Sequence, residues 1–176
     1  MNLRDIPMLS NFIASLKKNL TDKAFWYSNL KTMALMLVVV LAVTQYQQRD
    51  MYTGQAPSLN GISYSNGPTL VYFWGSWCPI CTTTSPFVSS LAQDDERNVV
   101  AIALSSGSDE DIESYLKEKH YQFDTINDDN GKISAAWGVA VTPSIFIIDS
   151  EGEIRFISTG ITSLWGMKLR LWLASF

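Results

Sequence analysis

Two cysteines occur among the 176 residues, and they stand close together as Cys78-Pro79-Ile80-Cys81. A loop that short gives little as a structural staple, but it suits a dithiol that opens and closes. Cys78 directly follows the apolar run Thr69–Trp74 (TLVYFW), which reads as a buried strand, and a helix is expected from Cys78 towards Asp94. In the first turn of such a helix, unpaired N–H groups and the helix dipole favour a thiolate. The first cysteine is then the exposed nucleophile, and Cys81, one turn inward, resolves the mixed disulfide by displacing the bound thiol. Pro79 fits that turn because it has no N–H to lose there.

The same spacing occurs at metal sites. Zinc asks for four ligands, and the chain offers two cysteines and His120. Cu(I) can be held by two thiolates, so a copper-binding or copper-delivery module stands as the alternative. His120 itself reads as the polar residue closing a helix that starts near Asp109, with Ser108 or Asp109 as its cap. Further along, Thr142-Pro143 leads into an apolar strand, where proline suits a bend better than a central position. A cis bond there would bring the Thr142 backbone beside the cysteines, to pair with an extended substrate chain, while Pro143 keeps metal ions away.

The elements that must position these residues follow from apolar runs and turn residues. Strands are expected at 69–74, 99–104, 123–126, 144–148 and 154–158. Helices are expected at 78–94, from about 109 to 120, briefly at 132–137, and from Ser163 towards Phe176. Asp128-Asp129-Asn130-Gly131 reads as a turn, and residues 149–153 as a hairpin loop. Helices between the early strands and a late hairpin imply a three-layer α/β domain around a mixed sheet.

Charge divides the chain. Residues 1–31 hold five basic and two acidic side chains, a balance of +3, while residues 50–176 hold seven basic and fifteen acidic, a balance of −8. Between them lies an uncharged stretch, 32–48, that is apolar mainly over 33–43 (MALMLVVVLAV). Seventeen helical residues rise about 25 Å, a little short of a ~30 Å hydrocarbon core. Lys31 and Arg49 can reach outward, with Trp26, Tyr27, Tyr46 and Tyr52 in the interfacial belts. The positive flank stays in the cytoplasm and the acidic body crosses. The expected organisation is a cytoplasmic basic segment (1–31), a membrane anchor (32–48), a turn-rich tether (49–67) and a catalytic domain (68–176). A cleaved signal peptide, with Val40-Leu41-Ala42 near the cut, and a buried core helix are competing readings of the anchor. Leu9, Phe12, Ile13, Leu16 and Leu20 suit a helix lying on the cytoplasmic membrane face. No basic stripe marks the acidic body, so nucleic acid is not expected as a partner.

At this point the residues resemble a known family. Tyr72-Phe73-Trp74-Gly75-Ser76-Trp77-Cys78-Pro79-Ile80-Cys81 resembles the strand-to-active-site segment of thioredoxin-like proteins. Trp137-Gly138-Val139, Thr142-Pro143-Ser144, Phe146-Ile147-Ile148-Asp149 and Gly152 resemble the second half of the membrane-tethered thioredoxin-like reductases. The tail Thr162-Ser163-Leu164-Trp165-Gly166-Met167-Lys168-Leu169-Arg170-Leu171-Trp172 is similar to that of the suppressor-for-copper-sensitivity D proteins of Gram-negative bacteria. This resemblance implies a thioredoxin-like fold on an inner-membrane anchor and a periplasmic protein-disulfide oxidoreductase. It implies protein thiol and disulfide substrates and a membrane electron donor or acceptor, with no cofactor. By position, Cys78 is the nucleophile, Cys81 the resolving thiol, Pro143 the cis-proline and Trp77 the flanking aromatic.

Two departures accompany the likeness. Thioredoxin places a buried aspartate where this chain has Tyr72, and the tethered reductases place a glutamate where it has Thr84. The acid that would move a proton on and off the resolving thiol is therefore missing, leaving Tyr72, Thr84 or water for that task. A Pro-Ile dipeptide with no His or Lys between the cysteines favours a reductant or poised exchanger over a strong oxidant, and the resemblance implies a link to copper tolerance. A non-catalytic membrane adaptor is a further alternative. The last helix is apolar nearly all round, which fits packing on the sheet or a docking surface facing a partner or membrane.

Overall fold

The computed structural model describes residues 23–48, 53–59, 62–94 and 98–176. The chain divides into two compact units, Met1–Gln45 and Tyr46–Phe176. Helix α1 (Lys23–Gln48) is a 26-residue helix, about 39 Å long at 1.5 Å per residue. It begins well before Thr32, and its described side chains are exposed. The Lys31 ammonium lies 4.7 Å over the Tyr27 ring.

Among the described residues no helix is long and apolar enough to cross a membrane. The uninterrupted apolar band of α1, residues 33–43, rises about 16 Å along the helix axis. The helix expected at 32–48 forms as part of a longer one that starts at Lys23. The amphipathic helix expected over Leu9–Leu20 lies outside the described residues, as does Tyr52.

In the second unit, five strands form one sheet in the order β3-β2-β1-β4-β5. They are β1 (Thr69–Trp74), β2 (Asn98–Leu104), β3 (Thr125–Asp128), β4 (Ser144–Ile148) and β5 (Ile154–Thr159). Strands β1, β2 and β3 run parallel, while β4 lies antiparallel to β1 and β5 antiparallel to β4. All six residues of the central strand β1 are buried, which is why it reads as a continuous apolar run rather than an alternating one. Strand β3 starts two residues later than expected, because the ring of Phe123 leaves the sheet edge and packs with Tyr72, Trp74 and Tyr121.

The period of two sorts the core into two faces. Leu70, Tyr72, Trp74, Ala101, Ala103, Ile145 and Ile147 point to one side. There they meet α2 (Cys81–Ala92), Ile112 of α3 (Asp109–Lys119) and α5 (Leu164–Leu173). Val71, Phe73, Ile102, Phe146 and Ile148 point to the other side, against Trp137, Val139 and Leu59. Trp137 follows the short helix α4 (Lys132–Ala136). Leu59 comes from the stretch expected to be a tether. Residues of that stretch are built onto the domain instead: Ala56 N–H donates to Gly152 at 2.8 Å and Gly54 accepts from Ile154 N–H at 2.8 Å.

Caps fix the helices that flank the sheet. Ser108 and Asp111 form a reciprocal capping box on α3, and His120 closes that helix in a left-handed conformation. The Ser163 hydroxyl accepts from Gly166 N–H at the start of α5. Met167, Leu171 and Ala174 bury the inner face of α5, while Trp165, Leu169, Trp172 and Leu173 stay exposed. The two faces therefore carry different energetic weight. Leu171→Ala is expected to cost about 2–5 kcal/mol in denaturant unfolding, and Leu169→Ala less than about 0.5 kcal/mol. Equal costs would contradict this orientation of α5.

Candidate active site

The carboxyl end of β1 delivers the chain into Gly75-Ser76-Trp77, and two contacts from the end of β2 hold that turn. Ser76 N–H donates to the Ser106 hydroxyl at 3.0 Å, and the Trp77 indole N–H donates to the Leu104 carbonyl at 3.0 Å. A side chain at position 75 would meet that indole at 2.7 Å, so only glycine admits the ring there.

Cys78 and Cys81 are joined as a disulfide, their Cα atoms 5.3 Å apart. Helix α2 starts at Cys81, three residues later than expected, and Cys78 lies in the turn before it. The Cys81 N–H points back, 3.1 Å from the Cys78 carbonyl oxygen and 3.2 Å from Cys78 Sγ. The donor that favours a Cys78 thiolate is thus the first N–H of the helix, approached from outside the first turn. The expectation of an exposed Cys78 also needs correction. In the disulfide form Cys78 is 4% exposed and Cys81 1%. The rim is what faces solvent: Trp77 at 57% and Ile80 at 48%, with Pro79 beside them.

The second wall comes from the start of β4. The Thr142-Pro143 peptide bond is cis, and Pro143 is buried. The Thr142 carbonyl oxygen lies 3.6 Å from Cys78 Sγ. The register Phe73↔Ser144 between β1 and β4 explains the meeting, since it sets the residues before Ser144 beside the residues after Phe73. The Ser144 hydroxyl secures the bend by donating to Val141 at 2.8 Å.

Behind the cysteines the polar groups are few. Tyr72 shares a 2.9 Å hydroxyl hydrogen bond with Ser85. Burial pushes the Tyr72 phenol well above its ordinary value, with the Ser85 bond acting the other way and the nearby Tyr121 and Tyr115 adding to the rise. It keeps its proton throughout the working range and cannot serve as a base. Thr84 is fully buried. Thr84 Oγ1, Thr142 Oγ1 and Trp74 Nε1 are buried without a hydrogen-bond partner in the protein. Residues 51–93, 98–108 and 133–148, which build these walls, contain no charged side chain.

Trp77, Cys78, Pro79, Ile80, Cys81, Thr142 and Pro143 are therefore gathered at one place, and His120 closes α3 as expected. Sequence reasoning missed Leu104, Ser106 and Ser85. The first two sit where parallel β2 ends beside β1, and the carboxyl ends of parallel strands are where α/β sheets form their sites. No group of three or more His, Cys, Asp or Glu side chains able to hold a metal occurs among the described residues.

This fold and site have known relatives. The model of the AhpC/TSA family matches residues 44–157. A thioredoxin-like protein of Haemophilus influenzae is 37% identical, over 81% of this chain and 90% of its own length. The thiol:disulfide interchange protein CycY of Rhizobium leguminosarum is 31% identical, over 64% of this chain and 60% of its own. A secreted disulfide oxidoreductase of Mycobacterium tuberculosis, described as homologous to E. coli DsbE, superposes with a TM-score of 0.57 at 22% identity, over 72% of this chain and 98% of that one. The chain thus spans most of the Haemophilus protein but under two thirds of the interchange protein. It belongs to the AhpC/TSA family and is one of its thioredoxin-like thiol–disulfide oxidoreductases.

Proposed function

We propose that this protein exchanges disulfides with other proteins outside the cytoplasm, held at the inner membrane by its N-terminal segment. The observation that carries the chemistry is the Cys78–Cys81 disulfide with the Cys81 N–H 3.2 Å from Cys78 Sγ. In the reducing direction the Cys78 thiolate attacks a substrate disulfide, forming a mixed disulfide and releasing one substrate thiolate. The Cys81 thiolate then attacks Cys78 Sγ, the mixed disulfide breaks, and the second substrate thiolate leaves. Two electrons pass to the substrate, both released thiolates take up protons, and Cys78–Cys81 is left oxidised. A membrane electron donor must then restore the dithiol. Trp77, Pro79 and Ile80 form the apolar rim against which the substrate rests, and the Thr142 backbone aligns it.

The direction follows from the surroundings of Cys78 Sγ. One N–H donor favours its thiolate, the Thr142 carbonyl opposes it, and no charge from the surrounding segments adds help. A thiolate so weakly favoured belongs to a reductant or poised exchanger. The location is supported by the +3 segment ahead of the exposed apolar band of α1 and by the acidic body after it. The secreted character of the Mycobacterium tuberculosis protein agrees with it. The link to copper tolerance rests on the resemblance of residues 162–172. A Cu(I) titration of the reduced pair, run beside an exchange assay, tests the copper-binding alternative; capture without exchange would favour it.

Cys78→Ser is expected to abolish reduction of a protein disulfide, and Cys81→Ser to accumulate a dithiothreitol-sensitive adduct with the substrate on non-reducing gels. Full activity of Cys78→Ser would overturn the reading. Equilibration with glutathione should place the couple nearer about −270 mV than about −120 mV. Because the site is uncharged, its rate with a neutral disulfide should change less than about twofold on raising salt to 1 M, where charges are screened within ~3 Å. For the proton, Thr84→Glu is expected to raise the stopped-flow rate of disulfide reduction. Tyr72→Phe should leave the rate and its pH profile unchanged between pH 6 and 9, since the phenol stays protonated. A Thr84→Glu rate no faster than wild type would remove the missing acid as a cause.

A further inference from the structure

The outer face of α5 is an apolar stripe that packs on nothing in its own unit. Trp165, Leu169, Trp172, Leu173 and Phe176 are all exposed, reaching 81% at Trp165 and 87% at Phe176, with Ile161 exposed just before the helix. The Trp172 and Phe176 rings meet edge to face at 5.0 Å. At 3.6 residues per turn Trp165, Leu169, Trp172 and Leu173 fall on one side of the helix, opposite the buried Met167 and Leu171, and Phe176 joins them through Trp172. A soluble surface rarely leaves so contiguous an aromatic patch uncovered.

Its charge says what covers it. Between Glu153 and the end of the sequence there is no acidic side chain, while Lys168 and Arg170 of α5 are basic; Arg155 is already matched by Asp149 and Glu153, each at 3.8 Å. All fifteen acids of residues 50–176 lie at or before Glu153. Lys168 and Arg170 fall on opposite borders of the stripe, both half-buried, and Arg170 Nη1 donates to the Gly166 carbonyl at 3.2 Å. Tryptophans flanked by bases on an amphipathic helix match an interface of acyl chains and anionic headgroups. A protein surface complementary to this one would have to be both acidic and strongly apolar.

We infer that α5 lies in the surface of an anionic bilayer, with Trp165, Leu169, Trp172 and Phe176 among the upper acyl chains and Lys168 and Arg170 at the headgroups. This docking needs no bilayer crossing by α1.

Full-length protein, mixed with vesicles of phosphatidylethanolamine and phosphatidylglycerol carrying a photoactivatable acyl chain, tests this by mapping lipid adducts to peptides. Adducts are expected on residues 161–176, with a loss in Leu169→Glu/Trp172→Glu and in vesicles of phosphatidylcholine alone. Lys168→Gln/Arg170→Gln should lower the yield by an order of magnitude or more at sub-saturating lipid, each base near an anionic surface contributing roughly fivefold. Both variants change exposed or half-exposed side chains, so the unfolding midpoint should hold. Absence of adducts on 161–176, or adducts indifferent to both variants, would overturn the inference. So would a lipid-free dimer dissolved by Leu169→Glu/Trp172→Glu, which would assign the stripe to a second copy. Adducts confined to residues 33–43 would remove the docking of α5 and leave the N-terminal tether standing, whereas adducts on 161–176 with none on 33–43 would do the reverse.

Discussion

A cysteine that must ionise where no charge is at hand depends on an oriented dipole, and here that dipole is the Cys81 N–H aimed at Cys78 Sγ from 3.2 Å. Much of the local structure serves to hold it. Pro79 has no N–H, so the turn between the cysteines cannot spend a donor there. The first turn of α2 is fixed in place by burial of Cys81, Thr84, Ser85 and Val88. Gly75 lets the Trp77 ring fold back over the backbone, where the end of β2 grips it. The sulfur is thus poised by backbone geometry, and side-chain charge plays no part in the segments that surround it.

The sheet explains why the second wall arrives at the same place. Cys78 follows β1 and Thr142 precedes β4, and these strands are antiparallel neighbours. An antiparallel pair sets the end of one strand beside the start of the next, so residues far apart in sequence meet at one edge. The parallel neighbour β2 brings its own carboxyl end to that edge, with Leu104 and Ser106. One edge of one sheet therefore supplies the nucleophile, its latch and its opposing carbonyl.

Much of this was legible in the sequence, and the exceptions share a cause. The buried strands were readable because β1 and β4 are apolar without interruption, and the turns because Gly and Asp mark them. The cysteines, Pro79 and Thr142-Pro143 were readable because their spacing carries chemistry. What the sequence could not reveal were contacts made by ordinary residues through tertiary proximity: Ser106 with Ser76, Ser85 with Tyr72, Leu59 in the core. The start of α2 was misplaced because Pro79 fits either a first helical turn or the turn before one, and the Cys81 N–H bonding back to Cys78 decides for the latter. The bounds of α1 were not legible either: the uncharged stretch begins at Thr32, whereas the helix starts at Lys23 and ends at Gln48.

Charge is segregated along this chain in a way that separates its tasks. The site-forming stretches are neutral, the acids cluster between Asp94 and Glu153, and the last helix is basic and apolar. A neutral site with an apolar rim at Trp77 and Ile80 offers a partner no charge to pair with at the point of contact. Selectivity must then come from contact and from where the protein is kept. Helix α5 packs against α2, the helix that opens at Cys81. Anything that holds α5 at a surface therefore also sets the position of the dithiol, and residence near a membrane can supply the selection that the site itself does not make.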